Sequence, residues 1–309
     1  MANTYYICLK YRNLFNLHDT LSFPGPIFID SGGFQHSLNS NLPRTSTVQR
    51  QSPQDVLAAQ VELGADFAAS LDYPLDPGAS YKENLKRVEG TLRNVEVALR
   101  TAANFLSLGK TMIVPVLHGY TGEMLRYSVK RLEELEEEYS YKFSMYGVGS
   151  LVPLYADRSG GAPEKLVGMF AALRRLVPDC KLLHVFGAGS PFSMRLFFLL
   201  GADSLDTRSW VTNAWFGKIV LPHNGRVKVK DLIKRHGPKA KICKCPICMQ
   251  GTLRDLQLSR MKRSAHNAYV YIREFRSILR EIREGSFEEK TLQILSESSY
   301  FRRYAKYVS

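Results

Sequence analysis

Short apolar runs alternate with longer amphipathic stretches along the first two-thirds of the chain. The short runs, rich in Ile, Val, Leu and Phe, predict strands at 27–30, 67–72, 112–117, 143–148, 182–186 and 204–206. Between them, apolar positions recurring every three or four residues predict helices at 53–63, 81–106, 122–138, 163–176 and 191–200. Strands alternating with helices at this spacing predict a parallel sheet and an α/β fold. Six or more such units within about 220 residues favour a (β/α)8 TIM barrel over an open sheet.

The pattern changes beyond residue 228, where a basic segment leads into a cysteine cluster. A long helical stretch at 253–284 and a last helix from 287 onward follow. The expected organisation is a barrel core over 1–225, a basic and metal-binding subdomain over 226–285, and a C-terminal helix over 286–309 packing on the barrel. The aromatic and basic tail at 300–307 is expected to pack on that same barrel.

Polar residues mark the ends of the predicted strands. Asp30 ends IFID, Asp72 ends AASLD, His118 follows VPVL, Gly149 follows YGV and Asp206 ends DSLD. A single strand-end Asp is most simply a helix or turn cap. The set is better explained by the mouth of a barrel, where C-terminal strand ends converge and active sites form. Three glycine-rich loops accompany them: DSGGFQ at 30–35, YGVGSL at 146–151 and FGAGSP at 186–191. Glycine lets backbone approach a ligand closely, Phe34 can stack on a flat ring, and the helix opened by FGAGSP offers its N-terminus to a phosphate. Retaining chemistry at a glycosidic carbon needs one carboxylate to attack and another to move protons. Asp30 and Asp206 fit that demand, and Asp72 can accept hydrogen bonds from a base edge.

Charge narrows the class of partner. With 42 basic and 29 acidic residues the net charge is +13, which favours a polyanion. Arg226, Lys228, Lys230, Lys234, Arg235, Lys239, Lys241 and Lys244 fall in one segment whose only acid is Asp231, as a phosphate-contacting surface would require. The five cysteines are Cys8, Cys180, Cys243, Cys245 and Cys248, three of them within six residues. That is a metal-binding cluster in a reducing compartment rather than a disulfide framework. The fourth ligand is expected to be His266, with His236 as its rival. Three thiolates and one imidazole close a tetrahedral shell around structural zinc. No apolar run is long enough to span a bilayer, and MANTYYICLKYRN does not look like a signal peptide, so a cytoplasmic location is expected, in a bacterium or in a host cell if the chain is virus-encoded.

DSGGFQ, the DYP at Asp72, VGSLVPL, HVFGAGSP, GADSLD and CxCxxC…H occur in an order that resembles the tRNA-guanine transglycosylase superfamily, from Ile27 to about Tyr271. The resemblance implies a (β/α)8 barrel with an inserted zinc subdomain. It implies that Asp206 is the nucleophile that attaches to the ribose carbon and that Asp30 is the general acid/base. Phe34 and Phe186 would sandwich the base, Asp72 would contact its guanine-like edge, and Gly149 and Ser150 would meet it through backbone. Cys243, Cys245, Cys248 and His266 match the zinc ligands. His118-Gly119 stands where the family often has Gln-Gly, and His118 would bind the base there, since a His can still donate to a carbonyl. The segment 207–215 lacks the Pro-Thr-Arg pattern of bacterial tRNA enzymes, and the chain is expected to lack the C-terminal RNA-binding modules of archaeal members. Asp206-Thr-Arg-Ser-Trp followed by Gly-Lys-Ile-Val-Leu-Pro looks more like the DNA-modifying, DpdA-type branch.

The expectation is therefore exchange of guanine in DNA for a free 7-deazaguanine such as 7-cyano-7-deazaguanine, with structural zinc as the only cofactor. The target base must be flipped out, at about a few kcal/mol, and the backbone held by Arg226, Lys228, Lys230, Lys234 and Arg235. Helper proteins or a homodimer are compatible with this reading. The alternatives are the same exchange on tRNA, or a non-catalytic nucleic-acid-binding subunit, against which the presence of Asp206 argues.

Overall fold

The computed structural model describes residues 2–3, 16–33, 52–104, 110–151, 162–221 and 225–297. Its contacts divide the chain into two compact units, Met1–Phe186 and Gly187–Ser309. Phe34, Cys8 and the 300–307 tail lie outside the described residues.

The first unit is built on parallel strands taken in chain order: β1 (Ala2–Asn3), β2 (Phe28–Asp30), β3 (Phe67–Ala69), β4 (Met112–Val114), β5 (Val116–Leu117), β6 (Met145–Val148) and β7 (Leu182–Val185). β4 and β5 are one predicted strand divided at Pro115, which has no N–H to give the ladder. Ser70 mends the break. Its N–H donates to Val114 O at 3.0 Å, and its Oγ accepts from Val116 N at 3.1 Å. The intervening helices are α1 (Leu17–Leu21), α2 (Pro53–Glu62), α3 (Tyr81–Asn104), α4 (Gly122–Glu138) and α5 (Ala162–Leu176). α2 starts where Ser52 and Asp55 form a reciprocal capping box with Pro53 in the first turn. α4 buries Met124, Leu125, Val129, Leu132 and Leu135 along one face, as its periodicity requires.

These strands curl. From β2 to β7 there are four strand spacings, about 19 Å along a flat sheet. Yet the rings of Phe28 on β2 and His184 on β7 stack with centroids 4.5 Å apart, and Phe186 meets Phe28 edge-on at 5.8 Å. The described strands form one sheet of β1 to β4 and another that includes β5 to β7, and these ring contacts show that β2 and β7 do not lie in one flat layer.

The second unit contains α6 (Pro191–Leu199), β8 (Ser204–Leu205), α7 (Ser209–Trp215), the antiparallel hairpin β9 (Lys218–Leu221) and β10 (Gly225–Lys228), α8 (Val229–His236), α9 (Pro246–Gln250), α10 (Leu253–Leu258), α11 (Arg260–Arg283) and α12 (Phe287–Ser296). The helical stretch expected at 253–284 is interrupted at Ser259, whose extended backbone (φ −109°, ψ 111°) ends α10 and whose hydroxyl caps α11. Arg195 of α6 is buried and satisfied by Glu274 at 2.5 Å, Glu281 at 2.7 Å and Thr291 at 3.2 Å, which ties α6 to α11 and α12. Among the described residues no helix is long and apolar enough to cross a membrane.

Candidate base-binding and zinc sites

In the first unit the strand ends carry one connected hydrogen-bond chain. Asp72 follows β3 on a segment suspended from α3: Asn94 donates to Leu71 O at 2.9 Å, Thr91 accepts from Tyr73 N at 2.9 Å and Arg87 donates to Pro74 O at 2.7 Å. Gln60 of α2 bridges the carbonyls of Ile29 and Ala69 and so fixes the ends of β2 and β3. On this frame Ser31 Oγ donates to Asp72 Oδ1 at 3.1 Å, and His118 Nε2 lies 3.0 Å from Asp72 Oδ2. Ser150 Oγ lies 2.7 Å from His118 Nδ1 and accepts from Leu75 N at 2.8 Å. Ser128 of α4 holds the His118 carbonyl at 2.9 Å.

The chain fixes the histidine tautomer. The Asp72 carboxylate can only accept, so His118 Nε2 carries a proton, and in the neutral ring Nδ1 accepts from the Ser150 hydroxyl. The Nε2 proton then points at the Asp72 carboxylate, and every member is satisfied. His118 is 2% exposed, and both of its ring nitrogens are engaged inside the protein. Two glycines are required by close approach: a Cβ at Gly33 would sit 1.9 Å from Asp72 Oδ1, and one at Gly149 would sit 2.4 Å from His118 Cε1. Ser150 itself adopts left-handed backbone, φ 63°, held by the hydrogen bonds of its hydroxyl. Tyr120 OH, within reach of Leu75 O at 3.2 Å and Ser150 O at 3.1 Å, ties the two loops together. Burial pushes its phenol well above the ordinary range, so it remains a donor.

The structure thus brings Asp72, His118, Gly149 and Ser150 together, adding Ser31, Gly33 and Tyr120, which the sequence reading did not single out. Ser31 sits inside DSGGFQ and Tyr120 follows His118-Gly119, so the motifs already held both. Asp30 ends β2. Phe186 packs against Phe28 and His184.

In the second unit Asp206 directly follows β8. Its Oδ1 accepts the backbone N–H of Gly187 at 2.8 Å, from the FGAGSP loop. The same loop is anchored by Tyr271 OH donating to Gly189 O at 2.6 Å, and its Ser190 caps α6.

Cys243, Cys245, Cys248 and His266 converge with all four ligand atoms within 4.8 Å of one another. His266 Nδ1 lies 3.7, 3.3 and 3.3 Å from the three sulfurs in chain order. Its Nε2 donates to Val220 O at 3.0 Å, which leaves Nδ1 unprotonated and aimed at the sulfurs, the outer-shell arrangement of a zinc-ligating imidazole. Cys245 N and Cys248 N donate to Cys243 Sγ and Cys245 Sγ, as thiolates would require. Burial pushes the Cys243 and Cys248 thiols up and the His266 imidazole down. A divalent cation among them reverses the thiol penalty, and the donor set fits zinc with no open position. His236, at the end of α8, is not in the cluster.

The basic segment occupies β10, α8 and the loop to Cys243, and Arg226, Lys228, Lys230, Lys234, Arg235, Lys239, Lys241 and Lys244 are all exposed. Val229 and Leu232 turn inward to pack with Ile219, Cys245, Cys248 and Leu253, so the cations coat a core that the zinc cluster shares.

The described residues thus comprise an α/β unit with parallel strands and a buried polar chain at its strand ends, and a Cys3His cluster whose donor set fits a structural metal ion. The family model described as queuine tRNA-ribosyltransferase matches residues 1–299, and the chain belongs to that family. Similar curated proteins are tRNA-guanine(15) transglycosylases. That of Methanosarcina mazei is 28% identical over 276 residues, covering 88% of this chain and 51% of the relative. That of Methanothermobacter thermautotrophicus is 27% identical, covering 88% and 38%, and that of Methanocaldococcus jannaschii is 26% identical, covering 94% and 43%. The chain therefore spans about half, or less, of the curated relatives it matches.

Proposed function

We propose that this chain exchanges guanine in a polynucleotide for a guanine-like base, with tRNA as the first substrate to test. Family membership carries the reading, and the relatives' printed substrate moves tRNA ahead of DNA. Closure of the curled strands into a full (β/α)8 barrel belongs to the same proposal.

In the proposed reaction the Asp206 carboxylate attacks C1′ of the target nucleoside and guanine leaves with its bonding electrons. Asp30 delivers a proton to the departing base and removes one from the incoming base. The incoming base then displaces Asp206, and two displacements at one carbon retain configuration. The Gly187 N–H on Asp206 Oδ1 orients the carboxylate. Phe34 and Phe186 stack on the base, and the Gly149–Ser150 backbone meets its edge. Zinc held by Cys243, Cys245, Cys248 and His266 supplies structure and no chemical step. Arg226, Lys228, Lys230, Lys234 and Arg235 hold the phosphate backbone.

His118 acts through Asp72. With both ring nitrogens committed to Asp72 and Ser150, it aims the Asp72 carboxylate at the base rather than donating to the base itself. His118→Ala is expected to raise KM for the free base about tenfold to a hundredfold, the effect of leaving buried polar groups unpaired. His118→Gln, which can still donate to Asp72, should recover most of it. Steady-state kinetics with varied base checks this; an unchanged KM in His118→Ala would remove the positioning role.

DNA remains the second reading, on the strength of Asp206-Thr-Arg-Ser-Trp and the Gly-Lys-Ile-Val-Leu-Pro run. The discriminating experiment offers radiolabelled guanine, and separately labelled 7-cyano-7-deazaguanine, with bulk tRNA and with plasmid DNA. Label in tRNA is expected. Label in DNA alone would exchange the two readings, and label in neither would reject base exchange by this chain.

A further inference from the structure

The C-terminal end of α7 presents two consecutive aromatic residues to solvent, Trp215 at 60% and Phe216 at 71% exposure. Single exposed apolar residues are ordinary; these two line one cleft of about 330 Å³ together with Lys228, Lys230, Gln257 and Arg263. Among the described residues, none that lines it is acidic. Hydrogen bonds tie together the helices that border the cleft. Arg263 is buried, and its guanidinium donates to Ala214 O at 2.8 Å, Leu256 O at 2.6 Å and Gln257 O at 2.8 Å, which locks the ends of α7 and α10 to α11. Gly217, with φ 67°, ends α7, and its carbonyl accepts Val229 N at 3.0 Å, so Lys228 and Lys230 are held beside the aromatics. The Arg260 guanidinium lies 4.6 Å from the centroid of the Trp215 ring.

We propose that this cleft is a docking platform for a single-stranded segment of nucleic acid, in which an unpaired base stacks on Trp215 and Phe216 while Lys228 and Lys230 take the flanking phosphates. Aromatic faces bordered by cations are the chemistry by which single strands are held without sequence choice. A cationic guanidinium stacked on the indole adds to that attraction. The charge argues for this occupant over a second copy of the chain, because a two-fold contact through this face would bring its lysines against their own duplicates. The inference rests on the nucleic-acid reading above, shares Lys228 and Lys230 with its backbone-holding segment, and adds Trp215 and Phe216, which have no role in the exchange step.

The test uses the full chain and guanine-free 12-mers, oligo(U) and oligo(dT), which cannot be exchange substrates. Both are expected to quench tryptophan fluorescence saturably. Anisotropy of the labelled 12-mers should weaken about tenfold in Trp215→Ala and in Phe216→Ala, and be restored in Trp215→Phe. Lys228→Ala and Lys230→Ala should each lower the salt-dependence slope by about one. A difference between the oligomers identifies which strand the platform prefers. Unchanged affinity in both aromatic variants would overturn the proposal. So would sedimentation showing that Trp215→Ala breaks a dimer while 12-mer binding persists. Base exchange on tRNA is scored separately, so a failed platform and a failed activity are distinguishable: binding lost in Trp215→Ala with no exchange by the wild type rejects only the activity.

Discussion

Asp206→Asn is expected to lower base exchange by about four orders of magnitude or more, on the scale seen when a covalent nucleophile is removed. The amide is a poor nucleophile at C1′, so neither half of the double displacement proceeds. The substitution should not disturb the fold. Asp206 Oδ1 accepts the Gly187 N–H at 2.8 Å, and the Asn carbonyl oxygen can accept the same bond. A thermal midpoint within a few degrees of the wild type would verify this, since about 1 kcal/mol shifts a chain of this size by about 2–4 °C. A variant that exchanges at near wild-type rate would remove Asp206 from the reaction.

The second large effect concerns the metal. Chelation of zinc, or Cys248→Ser, is expected to destabilise the hairpin of β9 and β10 with α8, α9 and α10 by several kcal/mol. Cys245 and Cys248 are themselves core residues there, beside Ile219, Val229, Leu232, Leu253 and Leu256. Without zinc, buried thiols replace an ordered metal shell, and in small zinc modules binding contributes on the order of 10 kcal/mol to folding. Because the shell has four protein ligands, activity should fall in step with unfolding rather than before it. Zinc content by atomic emission and thermal unfolding with and without chelator check this. A chelated protein that keeps its full midpoint would reject the structural role.

Much of this was legible in the sequence, for identifiable reasons. The helix at 122–138 was readable because its apolar positions repeat with helical period over seventeen residues, and it forms over Gly122–Glu138. The strands were readable as short apolar runs, although β3 stops at Ala69 because Ser70 turns to bridge the gap at Pro115. The hairpin and α8 were obscured. Arg226, Lys228 and Lys230 alternate with Val227 and Val229, and charge hid the period that the inward residues carry. Cys243, Cys245 and Cys248 announced a metal site by spacing, but spacing left His236 and His266 in competition until His266 was found with its Nδ1 facing the sulfurs. The chain from Ser31 through Asp72 and His118 to Ser150 was not legible as a network. Its members are up to 119 positions apart, counting from residue 31 to residue 150, and only folding brings their atoms within hydrogen-bond distance.

The claim that Asp206 carries the exchange is tested most directly by trapping. The protein is mixed with whichever polynucleotide accepts labelled guanine, quenched in denaturant, digested and analysed by mass spectrometry. The expected result is a nucleic-acid adduct on the peptide containing Asp206, absent in Asp206→Asn and discharged from the native complex by free guanine. An adduct on another residue, or one that survives in Asp206→Asn, would contradict it.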